Sequence, residues 1–220
     1  MKNVRHFTIT AIFLSIILLL AFTPLGFIHL GVIKATIIHI PVIIASIILG
    51  PKIGAFLGLV FGTTSIINNT IAPTLLSFAF SPVIPVLGTS QGSFWALVVA
   101  IAPRVLIGII PFYLYVALKK VIEKKKPNPK LPLLITGLVS TMLHTFLVMG
   151  LIALLFQDAY ATAVQADGMV GIIIAILTVF MTNGLVEAGL AAFLTAMIAP
   201  PLLKIVGKRD ALNKSKQLTP

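Results

Sequence analysis

The sequence predicts an all-α integral membrane fold: a bundle of six transmembrane helices, N-in and C-in, with an apolar outer loop, broken by Pro and Gly, acting as a lid. Three observations carry it. Hydrophobic residues make up 59% of the 220 and charged residues only 10%, with a mean hydropathy of +1.14, whereas soluble domains carry about 25% charged residues. The apolar residues gather into six runs. The basic residues collect at alternate junctions between those runs. A transmembrane helix takes about 20 residues, so the expected division is a six-helix membrane domain over 1–205 and a basic cytoplasmic tail over 206–220, with no room for a separate soluble domain.

The first run, Phe7 to Thr23, follows Lys2 and Arg5 as a signal-peptide core would. It exceeds the usual length of such a core and no A-x-A site follows, so it is expected to be a retained span. Ala35 to Leu49 and Ile53 to Ile67 are short, and Gly50, Pro51 and Lys52 between them predict a tight helical hairpin in place of one long helix. Phe94 to Leu118, Leu131 to Phe156 and Met169 to Leu203 complete the set. Between the third and fourth runs, Asn68 to Ser93 is apolar yet interrupted by Pro73, Pro82, Pro85, Gly88 and Gly92. Non-helical backbone at membrane depth survives only where protein buries it or a cavity solvates it. The segment therefore reads as a lid over an outward-facing cavity, the alternative being a packed, silent loop.

Placing the N-terminus inside puts 14 of the 16 basic residues on the cytoplasmic side, among them Lys52, Lys119, Lys120, the Lys124–Lys126 run, Lys130, Lys204 and the tail. Lys34 falls in an outer loop and Arg104 inside a span, while the outer loop from Gln157 to Gly168 carries Asp158 and Asp167. This is the positive-inside pattern. The net charge of +11 is then a topology signal and not a nucleic-acid footprint, although the basic tail can touch anionic lipid. With no Cys, thiolate metal sites, disulfides and cysteine nucleophiles are excluded.

Apolar burial drives little association in lipid, so close packing through small residues carries much of it. Gly50, Gly54, Gly58 and Gly62 recur every four residues, as do Gly184, Ala188, Ala192 and Ala196, with a shorter version at Ala11 and Ser15. Either these faces join helices of this chain or one of them docks another membrane protein.

Ionisable residues within spans are costly and mark cavities or partners. At about 1.5 Å per residue, Arg104, His144 and Glu187 can share a layer near the midplane. His39 and the Asn68–Asn69 pair are expected nearer the outside, and Asn183 lies one turn before Glu187. A midplane guanidinium keeps its proton and needs an anion. Two readings stay open: a structural Arg104–Glu187 pair, or a substrate carboxylate on Arg104 with His39, His144 and the Asn side chains orienting its other groups. Each His also admits a plain interhelical hydrogen bond. The sequence lacks G-x-x-x-x-G-K-[ST] and H-E-x-x-H, so it offers no phosphate loop or zinc helix. Binding and passage of a small polar molecule fit better than catalysis.

TPLGFIHLGVIKATIIHIPVIIASIILGPKIGAFLGLVFGTTSIINNTIAPTLLSFAFSPVIP, from Thr23 to Pro85, and APRVLIGIIPFYLY, from Ala102 to Tyr115, resemble the S components of energy-coupling factor (ECF) vitamin transporters. The resemblance extends to NGLVEAGLAAFLTAMIAPPL near the C-terminus and is most similar to the pantothenate-specific branch. It implies six helices in the cell membrane, a vitamin site near the outer face closed by loops, and no cofactor in this chain. It also implies a separate transmembrane scaffold (T) subunit, two cytoplasmic ATPase subunits that use the ATP, and delivery of the vitamin by toppling within the membrane. The scaffold-docking A-x-x-x-A of the family corresponds to Ala11 and Ser15, with Ser as the second small residue. Pantothenate carries a carboxylate, an amide and two hydroxyls, which suits Arg104 for the carboxylate. His39, Asn68, Asn69, His144, Asn183 and Glu187 supply polar groups for the rest, and Lys34 helps attract an anion. The alternatives are another vitamin (a thiamine pyrimidine precursor, riboflavin or folate), an intramembrane enzyme using Glu187 and His144, and a structural subunit without a ligand.

Overall fold

The structure, a computed structural model, describes residues 2–30, 33–122 and 130–218, and the side chains of these except 2, 3, 5, 25, 27–30, 33–35 and 207–218. Lys124, Lys125 and Lys126 lie outside the described residues, as do the side chains of Lys34 and of the basic tail. The chain runs as α1 (Lys2–Phe22), β1 (Phe27–Leu30), β2 (Ile33–Thr36), α2 (His39–Leu49), α3 (Pro51–Ile71), α4 (Trp95–Ile122), α5 (Lys130–Leu155), α6 (Gln157–Val164), α7 (Gly168–Val179), a π-turn (Phe180–Gly184) and α8 (Leu185–Leu218).

Among the described residues, α3, α4, α5 and the run Gly168–Val206 are long and apolar enough to cross a membrane. The apolar parts of α1 (His6–Phe22) and α2 are shorter. Hydropathy alone had extended the second run back to Ala35, but residues 33–36 form the second strand of an antiparallel hairpin, with Phe27 opposite Thr36 and Leu30 opposite Ile33. β-Branched Ile33 and Thr36 favour that extended backbone. The remaining α2 is apolar all round, and ten of its eleven residues are buried, as a helix lacking a polar face must be. It is the central stave of the bundle.

Gly50 ends α2 at φ 92° and Pro51 begins α3, a left-handed turn that glycine permits and a proline start that needs no N–H donor. Gly50 accordingly belongs to the turn and not to the packing face expected of it, since a Cβ there would meet nothing within 4 Å. The other three glycines do pack. A Cβ on Gly54 would strike the Gly108 carbonyl, one on Gly58 the Arg104 carbonyl, and one on Gly62 the Ala100 carbonyl. The order 54–108, 58–104, 62–100 makes α3 and α4 antiparallel with their backbones in contact. The last helix repeats the device, because a Cβ on Gly137 of α5 would strike the Ala191 carbonyl at 2.6 Å and Ala192 Cα, on the expected face, at 2.9 Å. Both small-residue faces are thus helix contacts within this chain.

Two apolar clusters result. One joins α1, α2, α3 and α8. The other lies around Phe78, Val99, Phe156, Tyr160 and Ile172, joining the irregular 72–94 segment to α4, α5, α6 and α7. The expected outer loop after α5 contains α6, whose Tyr160 is fully buried. Burial raises the pKa of its hydroxyl above the usual tyrosine value, which keeps it neutral at physiological pH.

Replacing Gly54 by Leu is expected to destabilise the protein by about 1–3 kcal/mol or more through overpacking against α4. Gly150→Ala, where an added Cβ meets nothing within 4 Å, should leave stability unchanged or raise it by up to about 1 kcal/mol. Thermal unfolding in detergent compares the two; equal melting temperatures would refute the α3–α4 backbone contact.

Candidate functional site

A cavity of about 710 Å³ opens between the ends of α1 and α3, the base of the hairpin and the segment after α3. That volume lies within the range of small-molecule sites, about 300–1,000 Å³. Thr23, Thr36, Thr64, Ser65, Asn68, Asn69 and Thr74 give its wall hydroxyl and amide groups, and Arg104 supplies the cation.

Arg104 is delivered by α4 at the point where that helix contains a proline. Pro103 has no N–H, so the carbonyl of Val99, four residues earlier, loses its helix donor. The Arg104 guanidinium takes that place, donating from Nη1 to the Val99 carbonyl at 2.8 Å. Its Cζ lies 4.9 Å from the Phe80 ring centroid and 5.6 Å from that of Phe61, distances at which ring faces attract a cation. Arg104 Nε has no partner among the described residues. A buried guanidinium with donors to spare has the chemistry to receive an anion.

Behind it stand the two histidines. His39 and His144 stack with centroids 6.1 Å apart, and His144 also meets the Phe61 ring at 6.2 Å. His144 Nδ1 lies 3.3 Å from the Pro103 carbonyl, and His39 Nε2 is buried without a partner. Neither histidine lines the cavity. His39 was expected towards the outer asparagines, but the strand before it shortens α2 and sets it at the head of that helix, against α5.

The asparagines do line the cavity, yet they also hold its walls. Asn68 Nδ2 donates to the Ala21 carbonyl at 2.6 Å and ties α3 to α1. Asn69 Oδ1 accepts from Ser77 Oγ at 2.7 Å, and Thr70 and Ser81 share a hydrogen bond of 2.7 Å. These bonds fasten the Pro-broken segment to α3, so that Leu76 and Phe80 face the cavity. Asn183 lies in the π-turn, off the cavity wall. Glu187 does not pair with Arg104. Its Oε1 accepts the Thr36 N–H at 2.6 Å, and among the described residues it has no ion pair. Ala11 and Ser15 lie on α1 away from the cavity, where Ser15 Oγ donates to the Ala11 carbonyl at 2.9 Å.

Sequence reasoning missed the Phe61–Phe80 clamp, because a phenylalanine among 14 carries no sign of facing a guanidinium. It also missed Thr36, hidden in what hydropathy read as helix.

The family profile described as "ECF transporter, substrate-specific component" matches residues 5–199. This chain belongs to that family. It is 40% identical over 172 residues, 78% of this chain and 79% of the relative, to the "Pantothenic acid transporter PanT" of Lactococcus lactis subsp. cremoris (strain MG1363). The membership makes the protein a multi-pass membrane component of a vitamin-uptake system.

Pro103→Ala returns an N–H donor to the Val99 carbonyl and competes with Arg104 for it. Stability is expected to hold or rise, while affinity for an anionic ligand changes several-fold as the guanidinium is released. Affinity and melting temperature both unchanged would count against the proline-set position of Arg104.

Proposed function

We propose that this protein is the pantothenate-binding S component of an ECF importer, and that Arg104 receives the substrate carboxylate. The observation that carries the reading is a buried guanidinium lining a small-molecule cavity without a carboxylate partner among the described residues. The similarity to a pantothenic acid transporter supports the choice of vitamin. Pantothenate is an anion with an amide and two hydroxyls, and the hydroxyl-rich wall offers those groups hydrogen-bond partners. His39 and His144 back the guanidinium and shape the apolar floor beside it. Asn68 and Asn69 present their remaining polar capacity to the ligand, while Asn183 and Glu187 stand off the wall and act, if at all, through other groups.

Six spans with both termini cytoplasmic follow from the positive-inside pattern. In that arrangement α1 and the β-hairpin with α2 each complete a crossing. The cavity then faces outward, with the 72–94 segment as its outer wall. Delivery inward requires the partners that the family implies: a transmembrane T subunit docked on the Ala11–Ser15 face, and two cytoplasmic ATPases that use ATP to drive toppling. The enzyme reading finds less support, since Glu187 bonds the Thr36 amide and His144 Nδ1 faces the Pro103 carbonyl.

The purified chain should be stabilised against heat by pantothenate, because a ligand that favours the folded state shifts unfolding by mass action. Panthenol, in which the carboxylate is an alcohol, should stabilise far less. Arg104→Ala should weaken pantothenate binding by about 1.5–3 kcal/mol, the range for a hydrogen bond to a charged group, and Arg104→Lys should recover only part of it. Equal binding of panthenol and pantothenate, or an unaltered affinity in Arg104→Ala, would reject the carboxylate site; stabilisation by riboflavin or thiamine in place of pantothenate would move the substrate.

A further inference from the structure

The hairpin base is shared by two sides of the molecule. Thr36 and Ile38 line the cavity, and His39, the next residue but two after Thr36, begins the buried α2. Neighbouring amides of an extended chain point to opposite edges. The Ile37 N–H turns inward and donates to the Gly26 carbonyl at 3.1 Å, so the Thr36 N–H faces the open edge of the hairpin. A bare edge amide at membrane depth is costly. Glu187, 151 residues further along the chain, satisfies it at 2.6 Å.

Two features make this more than an incidental contact. The bond is short, at 2.6 Å, and joins segments 151 residues apart in the chain. Glu187 also lies in the first turn of α8, three residues beyond the π-turn Phe180–Gly184. One residue added to a helical turn rotates everything beyond it by roughly 100°, and that rotation sets which face of α8 Glu187 occupies.

We propose that Glu187 is a positioning residue for the substrate site. Its carboxylate holds the Thr36 amide, keeps the hairpin base closed against the cavity, and thereby sets how long a bound ligand stays, without touching the ligand. The inference rests on the reading of the cavity as the pantothenate site. Opening of the hairpin base must break the Glu187 bond first, so the dissociation rate bears the effect.

The test uses the full chain in detergent, with Glu187→Met, which keeps the length but replaces the carboxyl by an apolar group with no strong acceptor, and Glu187→Gln, which keeps an amide oxygen. Hydrogen exchange of the peptide containing Thr36 is followed without ligand, and release of radiolabelled pantothenate is timed by chase. Glu187→Met should exchange at least ten-fold faster at the hairpin base and release pantothenate roughly ten-fold faster or more, the scale of leaving a buried donor unsatisfied. Glu187→Gln should fall close to the unaltered protein in both. Unchanged exchange in Glu187→Met overturns the latch, and faster exchange with unchanged release overturns its role in retention. No pantothenate binding by the unaltered protein instead refutes the cavity reading and with it the retention role, while the exchange measurement still decides the latch.

Discussion

The contact of α3 with α4 governs the geometry of the whole cavity side of the molecule. Helices that touch through glycine bring their backbones together, and here the glycine at 58 lies against the carbonyl of Arg104 itself. A side chain at that position would push α4 outward and carry the guanidinium with it. The same helix pair supplies Phe61 from α3 and the proline-freed carbonyl of Val99 from α4. The depth of the cation, its aromatic clamp and its hydrogen bond are therefore consequences of one packing decision written in glycine every fourth residue.

The cost of placing that cation in an apolar bundle explains the arrangement around it. A structural carboxylate beside Arg104 would satisfy the charge permanently and leave nothing for a ligand to do. The protein instead offers partial compensation: one carbonyl and two ring faces, each weaker than an ion pair. In the proposed function, the remaining deficit is what an incoming carboxylate relieves. Proline within a membrane helix is tolerated because other groups satisfy the freed carbonyl, and here the group that does so belongs to the site, which joins the kink to the chemistry.

The bundle was legible in the sequence wherever a single physical signal ruled. Hydropathy marked the long helices to within a few residues, Gly50–Pro51 marked the helical hairpin, and the glycine periodicity marked the α3–α4 seam. The residues Arg104, Asn68 and Asn69 stood out as polar groups in apolar surroundings, and all three line the cavity. What escaped was whatever depends on contacts distant in sequence. Nothing near residue 36 announces that its amide meets residue 187. Nothing in the Pro-rich segment says which of its aromatic residues turns onto the guanidinium. The π-turn left a faint trace in Thr182, Asn183 and Gly184, three poor helix formers in succession inside a span, but that trace fits a kink or a loop equally well.

The hairpin base shows how these separate features become coupled. Thr36 borders the cavity through its place on the wall and borders α8 through its amide. Three residues on, His39 stacks on His144 behind Arg104. A displacement of the hairpin must therefore be absorbed at the Glu187 bond, at the head of α2, or in both. Because α2 is buried on nearly every side and interiors resist small shifts, the head of α2 is the stiffer of the two. The single hydrogen bond to Glu187 is the softer joint, so that is where opening of the wall begins.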